Sequence, residues 1–223
     1  MPRAAAPPVR PGPPAGIVDA WRVPLRSPEL PAATFRAVLS LDERARAARM
    51  KVGAEEWALA RGALRHILAH YLGERPRQLR FERGAVGKPR LAGGRGPQFN
   101  LSSRGDLALV AVACDREVGV DIEREDDIAE IQRLSSEFLS PLEAAAVESA
   151  DPTQRKAAFF AAWTRHEARR KLHGIALEDE PATLPPDQLV VVRAVAVQAG
   201  YAAAIAAEGS TWTVRAREVT EAL

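Results

Sequence analysis

Two acids, Asp121 and Glu123, stand two residues apart in the segment GVDIE at 119–123. The run 117–123 alternates, with Val118, Val120 and Ile122 facing one way and Gly119, Asp121 and Glu123 the other. On a strand this spacing projects both carboxylates from one face, with Cα atoms roughly 6–7 Å apart. Such a pair suits a hard divalent cation, because Mg²⁺ prefers carboxylate oxygens together with waters and substrate phosphates. A bare D-x-E also suits a solvated strand face; the apolar residues woven through this one point to a strand packed on one side, with its acids at a cleft. Further along, Trp163, Glu167 and Lys171 recur every four residues on a helix face shared with Phe160 and Thr164. Alone, Glu167 and Lys171 read as a surface ion pair worth about 0.3–0.5 kcal/mol. Beside Trp163, the same face offers a third carboxylate for a metal and a lysine to meet a phosphate or a leaving group.

Other chemistries fail on inspection. HEARRK, starting at His166, opens like a zinc-protease helix, but the second histidine of that motif belongs at position 170, where Arg170 stands. His66 and His70 lie four apart with no acid between them and read as ordinary helix residues. The stretch 84–88 is too short between its glycines for a phosphate loop, and Pro89 replaces the hydroxyl that would hold Mg²⁺. A Gly-rich basic loop can nonetheless bind phosphate through Lys88 and neighbouring arginines.

These residues need elements to hold them. Residues 17–23 read as a strand. Ser40 and Glu43 have capping-box spacing and open a helix to about Lys51, with its arginines on a solvated face. A second helix spans 54–71, with Gly73 as a left-handed stop. Residues 78–81 suggest a short strand, 83–98 an exposed loop rich in Gly, Pro and Arg, and 107–113 a buried strand. Ser140, Pro141 and Glu143 start another helix, and Asp151, Pro152 and Gln154 repeat that grammar before a long helix that stops at Gly174. Strands at 189–197, 201–206 and 211–215 follow.

With 223 residues, 47% hydrophobic and 27% charged, and no long apolar run, the chain is a folded protein of one large or two small domains rather than a membrane span or a disordered tail. Its net charge of +2 hides a division. Residues 1–113 hold 19 Lys or Arg against 9 Asp or Glu, and residues 114–223 hold 12 against 20. An anionic ligand on the first half and a cation near the second would follow from that asymmetry. Residues 1–16, with six of the 17 prolines, read as a flexible leader without a signal-peptide core. The lone Cys114, after an apolar run, reads as a small buried hydrophobe, and a reducing cytoplasm fits.

Taken in order, GKP at 87–89, FNLS at 99–102, GVDIE at 119–123 and FFAAWTRHEARRKLHGIAL at 159–177 resemble the Sfp-type 4′-phosphopantetheinyl transferases. LSLDERARAARM at 39–50 and ARGALRHILAHYLG at 60–73 resemble their N-terminal helices, so the likeness spans all but the leader. It implies an α+β fold, a pseudo-dimer of two similar α/β subdomains with the active site at their interface: a basic CoA-side subdomain at 17–113 and an acidic metal-side subdomain at 114–223. It implies transfer of the phosphopantetheine arm of coenzyme A to a serine of an apo acyl, peptidyl or aryl carrier protein, with release of adenosine 3′,5′-bisphosphate. Asp121, Glu123 and Glu167 would hold Mg²⁺, or Mn²⁺ in its place, on the CoA pyrophosphate. Lys88 would contact a CoA phosphate, Ser102 and Ser103 would lie near the adenosine phosphates, and Arg46 and Arg83 would face CoA. Glu167 is the candidate general base and Lys171 the stabiliser of charge on the pyrophosphate.

The chain departs from the family pattern at Ser103 and Arg104, where histidine often follows the N-x-S serine. It departs again at His166, where many members carry lysine, and at Arg169 and Arg170. These changes surround the acids without touching them and bear on CoA affinity and pH optimum. A catalytically impaired protein of the same fold, binding CoA or a carrier protein, is the rival reading, and three retained acids with Lys171 weigh against it. Nucleic acid is an unsuitable partner, since aromatic residues make up 5% of the chain and offer no stacking platform. Two halves in one chain favour a monomer in the cytoplasm, with no membrane partner.

Overall fold

A computed structural model describes residues 11–84, 87–94, 96–175 and 189–223. One sheet is formed by β1 (Ile17–Pro24), β4 (Gln98–Arg104), β5 (Leu107–Ala113) and β9 (Thr213–Glu218), in the order β4-β5-β1-β9. A second contains β6 (Val118–Arg124), β7 (Val190–Ala194) and β8 (Tyr201–Glu208), in the order β6-β8-β7. Strand alternation sorts their side chains into layers. Val18, Ala20, Leu107 and Leu109 of the first sheet meet Val118, Val120, Ile122 and Ile205 of the second in a shared core. Trp21, Val23, Val110 and Val112 point the other way, onto helix α3 (Ala54–Leu72). On the far side Ala204 and Ala206 pack against Ala168 and Leu172 of helix α6 (Arg155–His173). The order is therefore helix, sheet, sheet, helix, a mixed α+β fold in which each sheet is covered on its outer face by one helix of 19 residues.

Four shorter helices, α1 (Ala32–Ala37), α2 (Leu41–Arg49), α4 (Ile131–Phe138) and α5 (Pro141–Ser149), accompany α3 and α6 among the described residues, with β2 (Phe81–Arg83) and β3 (Pro89–Leu91) as a small separate hairpin. The expected capping box is formed: Ser40 Oγ accepts from the Glu43 backbone N–H at 3.2 Å, while the Glu43 carboxylate accepts from the Ser40 N–H at 2.8 Å. α3 ends at Gly73 and α6 at Gly174, both in the left-handed conformation expected of such stops. Asp151 differs from expectation. Its carboxylate closes a turn on Thr153, and α6 begins at Arg155 without a side-chain cap.

Other differences have local causes. The 78–81 segment is a 3₁₀ turn at Pro76–Gln78 followed by β2, and β3 arises inside the expected loop because Gly84 and Gly87 turn the chain, with Gly84 N–H bonding Lys88 O at 2.8 Å and Gly87 N–H bonding Gly84 O at 2.9 Å. Residues 85, 86 and 95 of that loop, 176 and 177 of the motif at 159–177, and 1–10 of the leader lie outside the described residues. The leader's end, 11–16, is packed: Pro13 is buried and Gly16 N–H bonds Asp115 Oδ2 at 3.0 Å. Cys114 is half-buried, and burial together with Asp115 pushes its thiol up, away from reactivity. The 113/114 division is crossed by β9, which pairs in parallel with β1 of the first half. Fully buried Asp19 anchors that strand, accepting from Arg215 Nε at 2.6 Å and Nη2 at 2.9 Å and from the Tyr71 hydroxyl.

Candidate active site

The acids of β6 are more enclosed than alternation alone implies. Gly119, Asp121 and Glu123 face α6, and an atom added at Gly119 Cβ would lie 2.1 Å from Ala168 O and 2.4 Å from Leu172 N. The strand and helix backbones thus touch, which glycine alone permits. That contact brings Glu167 and Lys171 over the acidic face of β6. Asp121 is 1% exposed and Glu167 6%.

Lys171 does not pair with Glu167 along its own helix. Its ammonium donates to Asp121 Oδ1 and, at 2.9 Å, to Ser102 Oγ, while Ser102 Oγ lies 3.0 Å from the same Asp121 oxygen. Arg104 Nε stands 3.2 Å from Glu123 Oε2. Glu167 Oε1 has Arg170 Nε at 3.6 Å and His166 Nε2 at 4.0 Å, neither within hydrogen-bond geometry. Among the described residues, buried Asp121 Oδ2 and Glu167 Oε1 accept no hydrogen bond. Burial, and after it the Asp121 charge, push the Glu123 carboxyl up to about 7 against the pull of Arg104 and Lys171. The same two causes, burial first, raise Glu167. Burial and then Arg170 lower His166, favouring the neutral imidazole.

Crowded carboxylates with two orphaned oxygens have the donor chemistry of a hard-cation site. Among the described residues, however, no three acidic, histidine or cysteine side chains are gathered closely enough to hold a metal as they stand. The protein's own cations account for this, since Lys171 is drawn onto Asp121 and Arg104 onto Glu123.

A cleft of about 670 Å³ has Arg46, Arg49, Arg61, Arg80 and Arg83, the rings of Trp57 and Phe81, and Asn100 and Leu101 of β4 in its walls, and none of Asp121, Glu123 and Glu167. Its floor is braced by the Glu43 carboxylate, which accepts from Arg61 Nε at 2.7 Å and Arg65 Nε at 2.8 Å. Arg61 lies 4.1 Å from the Phe81 ring centre and Arg46 5.1 Å from that of Trp57. The residue of β4 after Leu101, Ser102, points to the other face of the strand and bonds Asp121, so β4 borders both the cleft and the acids. Asn100 Oδ1 accepts from Val120 N–H at 2.9 Å and fixes β4 against β6. A second groove of about 690 Å³, beside α1 and α2, contains one acid, Glu55, which is paired with Arg36. It has nothing to do chemistry with.

The structure thus gathers Asp121, Glu123, Glu167, Lys171 and Ser102, and places Arg46 and Arg83 together in the cleft. Ser103 is exposed and does not line the cleft. Lys88 does not join them. Gly87 and Pro89 line the cleft, but the Lys88 side chain leaves the opposite face of the hairpin and bonds Glu117 Oε2 at 2.8 Å. Arg49, Arg61, Arg65 and Arg80 are cleft arginines that the motifs do not mark; the signal available was the i,i+4 pair of Arg61 and Arg65 on the apolar α3, which needs an acid such as Glu43 to be buried there.

Residues 117–215 match the model of the 4′-phosphopantetheinyl transferase superfamily. The chain is 37% identical over 180 residues to the 4′-phosphopantetheinyl transferase HetI of Nostoc sp. (strain PCC 7120), covering 77% of this chain and 76% of that one. It is 31% identical over 172 residues to the putative 4′-phosphopantetheinyl transferase slr0495 of Synechocystis sp. (strain PCC 6803), covering 75% and 69%. A shorter match, 37% over 91 residues, joins it to the 4′-phosphopantetheinyl transferase AcpT of Salmonella typhimurium, covering 41% and 47%. The chain belongs to the 4′-phosphopantetheinyl transferase superfamily.

Proposed function

We propose that this protein, an Sfp-type member of the superfamily with two similar subdomains, transfers the 4′-phosphopantetheine arm of coenzyme A to a serine hydroxyl of an apo acyl or peptidyl carrier protein, releasing adenosine 3′,5′-bisphosphate. The observation that carries the reading is that β4 lines a basic cleft and, through Ser102, is bonded to Asp121 and Lys171, beside buried Glu167 and half-buried Glu123. In this reading Arg46, Arg61 and Arg83 receive the CoA phosphates. Ser102, buried and bonded to Asp121 and Lys171, holds those two groups in place. Glu167, buried and raised above the ordinary glutamate by that burial, takes the proton of the carrier serine as its oxygen attacks phosphorus. Lys171 shifts from Asp121 to the pyrophosphate oxygens as negative charge gathers there. Asp121, Glu123 and Glu167 are the residues that would hold Mg²⁺, or Mn²⁺, which when bound neutralises the pyrophosphate. Displacement at phosphorus leaves the protein mainly the work of positioning and charge.

Intact-mass measurement tests this directly. Apo carrier proteins of several types, incubated with the protein, CoA and Mg²⁺, are expected to gain the phosphopantetheine mass; no gain on any of them sinks the proposal. We place the protein in the cytoplasm as a monomer serving secondary metabolism, supported by one half-buried thiol and by the presence of both halves of the site in one chain.

A stability experiment addresses the metal. In the folded chain Glu123 keeps its proton to about 7, whereas an unfolded glutamate loses it near 4.5. The folded state then binds more protons than the unfolded one across that window. Without divalent cation, the contribution of Glu123 to stability is therefore full below about 4.5 and is lost as pH rises through about 7, by at most about 3 kcal/mol. Millimolar MgCl₂ should restore most of the loss at pH 8 and little at pH 5, where protons compete for the same oxygens. Thermal unfolding of the wild type and of Glu123→Gln across this range isolates that contribution, and a difference between the two that neither changes with pH nor responds to Mg²⁺ would contradict the assignment.

A further inference from the structure

The side chain of Lys88 holds three elements at once. A lysine ammonium has three donors, and here all three are used: Glu117 Oε2 at 2.8 Å, Val118 O at 2.7 Å and Leu172 O at 3.2 Å. The side chain is 12% exposed. Val118 is the first residue of β6, the strand of Asp121 and Glu123. Leu172 lies one residue beyond Lys171 near the end of α6, where helix carbonyls have no partner in the next turn and a cation is favoured. Arg170 O and Lys171 O accept from Gly174 N–H and Arg170 O also from Ile175 N–H, leaving Leu172 O to Lys88.

Resting on the transferase reading, we propose that Lys88 is a positioning residue: it fixes α6 along the axis of β6 and so sets where Glu167 and Lys171 stand relative to Asp121 and Glu123. The contact at Gly119 limits how closely strand and helix approach, but a surface without a side chain offers little resistance to sliding. The Lys88 bonds supply that resistance, because they grip the first carbonyl of the strand and a terminal carbonyl of the helix through one atom. A role on a CoA phosphate would require giving up all three bonds and exposing two carbonyls and the Glu117 carboxylate to other partners.

The two roles separate kinetically. With the full chain, CoA and an apo carrier protein, Lys88→Met is expected to lower kcat at least about tenfold, since a 1 Å displacement of catalytic groups costs on the order of 100-fold. The KM and the separately measured Kd for CoA should stay within about twofold of wild type. Hydrogen exchange should quicken in peptides from the end of α6 and the start of β6. Glu117→Gln, which leaves both carbonyl bonds in place, should give the same split at smaller amplitude and substitutes for Lys88→Met if that variant does not fold. A tenfold weaker CoA Kd with kcat unchanged would make Lys88 a phosphate contact and overturn the proposal, as would wild-type values of both. A wild-type chain that modifies no carrier protein refutes the transferase reading instead.

Discussion

Glu167→Gln is expected to slow carrier-protein modification by roughly 10²- to 10⁴-fold, the usual worth of a general base, and to leave the fold as stable as before. The second half of that expectation carries the discrimination. Glu167 is 6% exposed, and its Oε1 accepts no hydrogen bond among the described residues. Burial and the Asp121 charge both disfavour its ionised form. Such a group contributes little to stability as a carboxylate, so the neutral amide of the same shape should cost nothing or stabilise slightly. A residue that strains the fold while controlling the rate is held for chemistry. Intact-mass time courses and thermal unfolding on the same sample check both halves. A rate within twofold of wild type removes Glu167 from the mechanism, and a large loss of stability makes it a structural residue.

Gly119→Ala should be the most damaging single methyl addition near the site. The new atom would meet Ala168 O at 2.1 Å and Leu172 N at 2.4 Å, and both are backbone atoms that no rotamer change can move. Ordinary carbon contacts need about 3.5 Å, so α6 and β6 must part by on the order of 1 Å. Overpacking of flexible side chains costs about 1–3 kcal/mol; a backbone collision should reach the top of that range or exceed it. The same displacement would carry Glu167 and Lys171 away from Asp121 and reduce transfer by about 100-fold. Unfolding midpoints and rates near wild type would show that the two backbones are not in contact.

Much of this arrangement is written locally in the chain. The box of Ser40 and Glu43, the glycine stops at 73 and 174 and the four-residue rhythm of Trp163, Glu167 and Lys171 are short-range patterns, and short-range physics fixes them. The alternation in GVDIE places both acids on one face, as found. What alternation omits is that the acid face is covered too: Val118 to Ile122 are all buried, and the glycine that permits this reads in sequence as a mere interruption. Lys171 is paired across 50 residues with Asp121 rather than within its helix, and Lys88 across 84 with Leu172. Neither partner has a periodic signature. β3 lies within the Gly- and Pro-rich 83–98 region, whose turn chemistry is visible but whose pairing is set by tertiary contact; β4, in the short stretch QFNLSSR, likewise takes its pairing from β5.

The pairing of β9 with β1 has its consequence during translation. Asp19 leaves the ribosome 196 residues before Arg215, its buried partner. Through that interval the first sheet lacks its outer strand, and an acid destined for a fully buried position has no guanidinium to neutralise it. Such a half-made sheet presents an open edge of backbone donors and acceptors, the kind of surface that chaperones shield. Severing the peptide bond between 113 and 114 would leave β1 on one fragment and its partner strand β9 on the other.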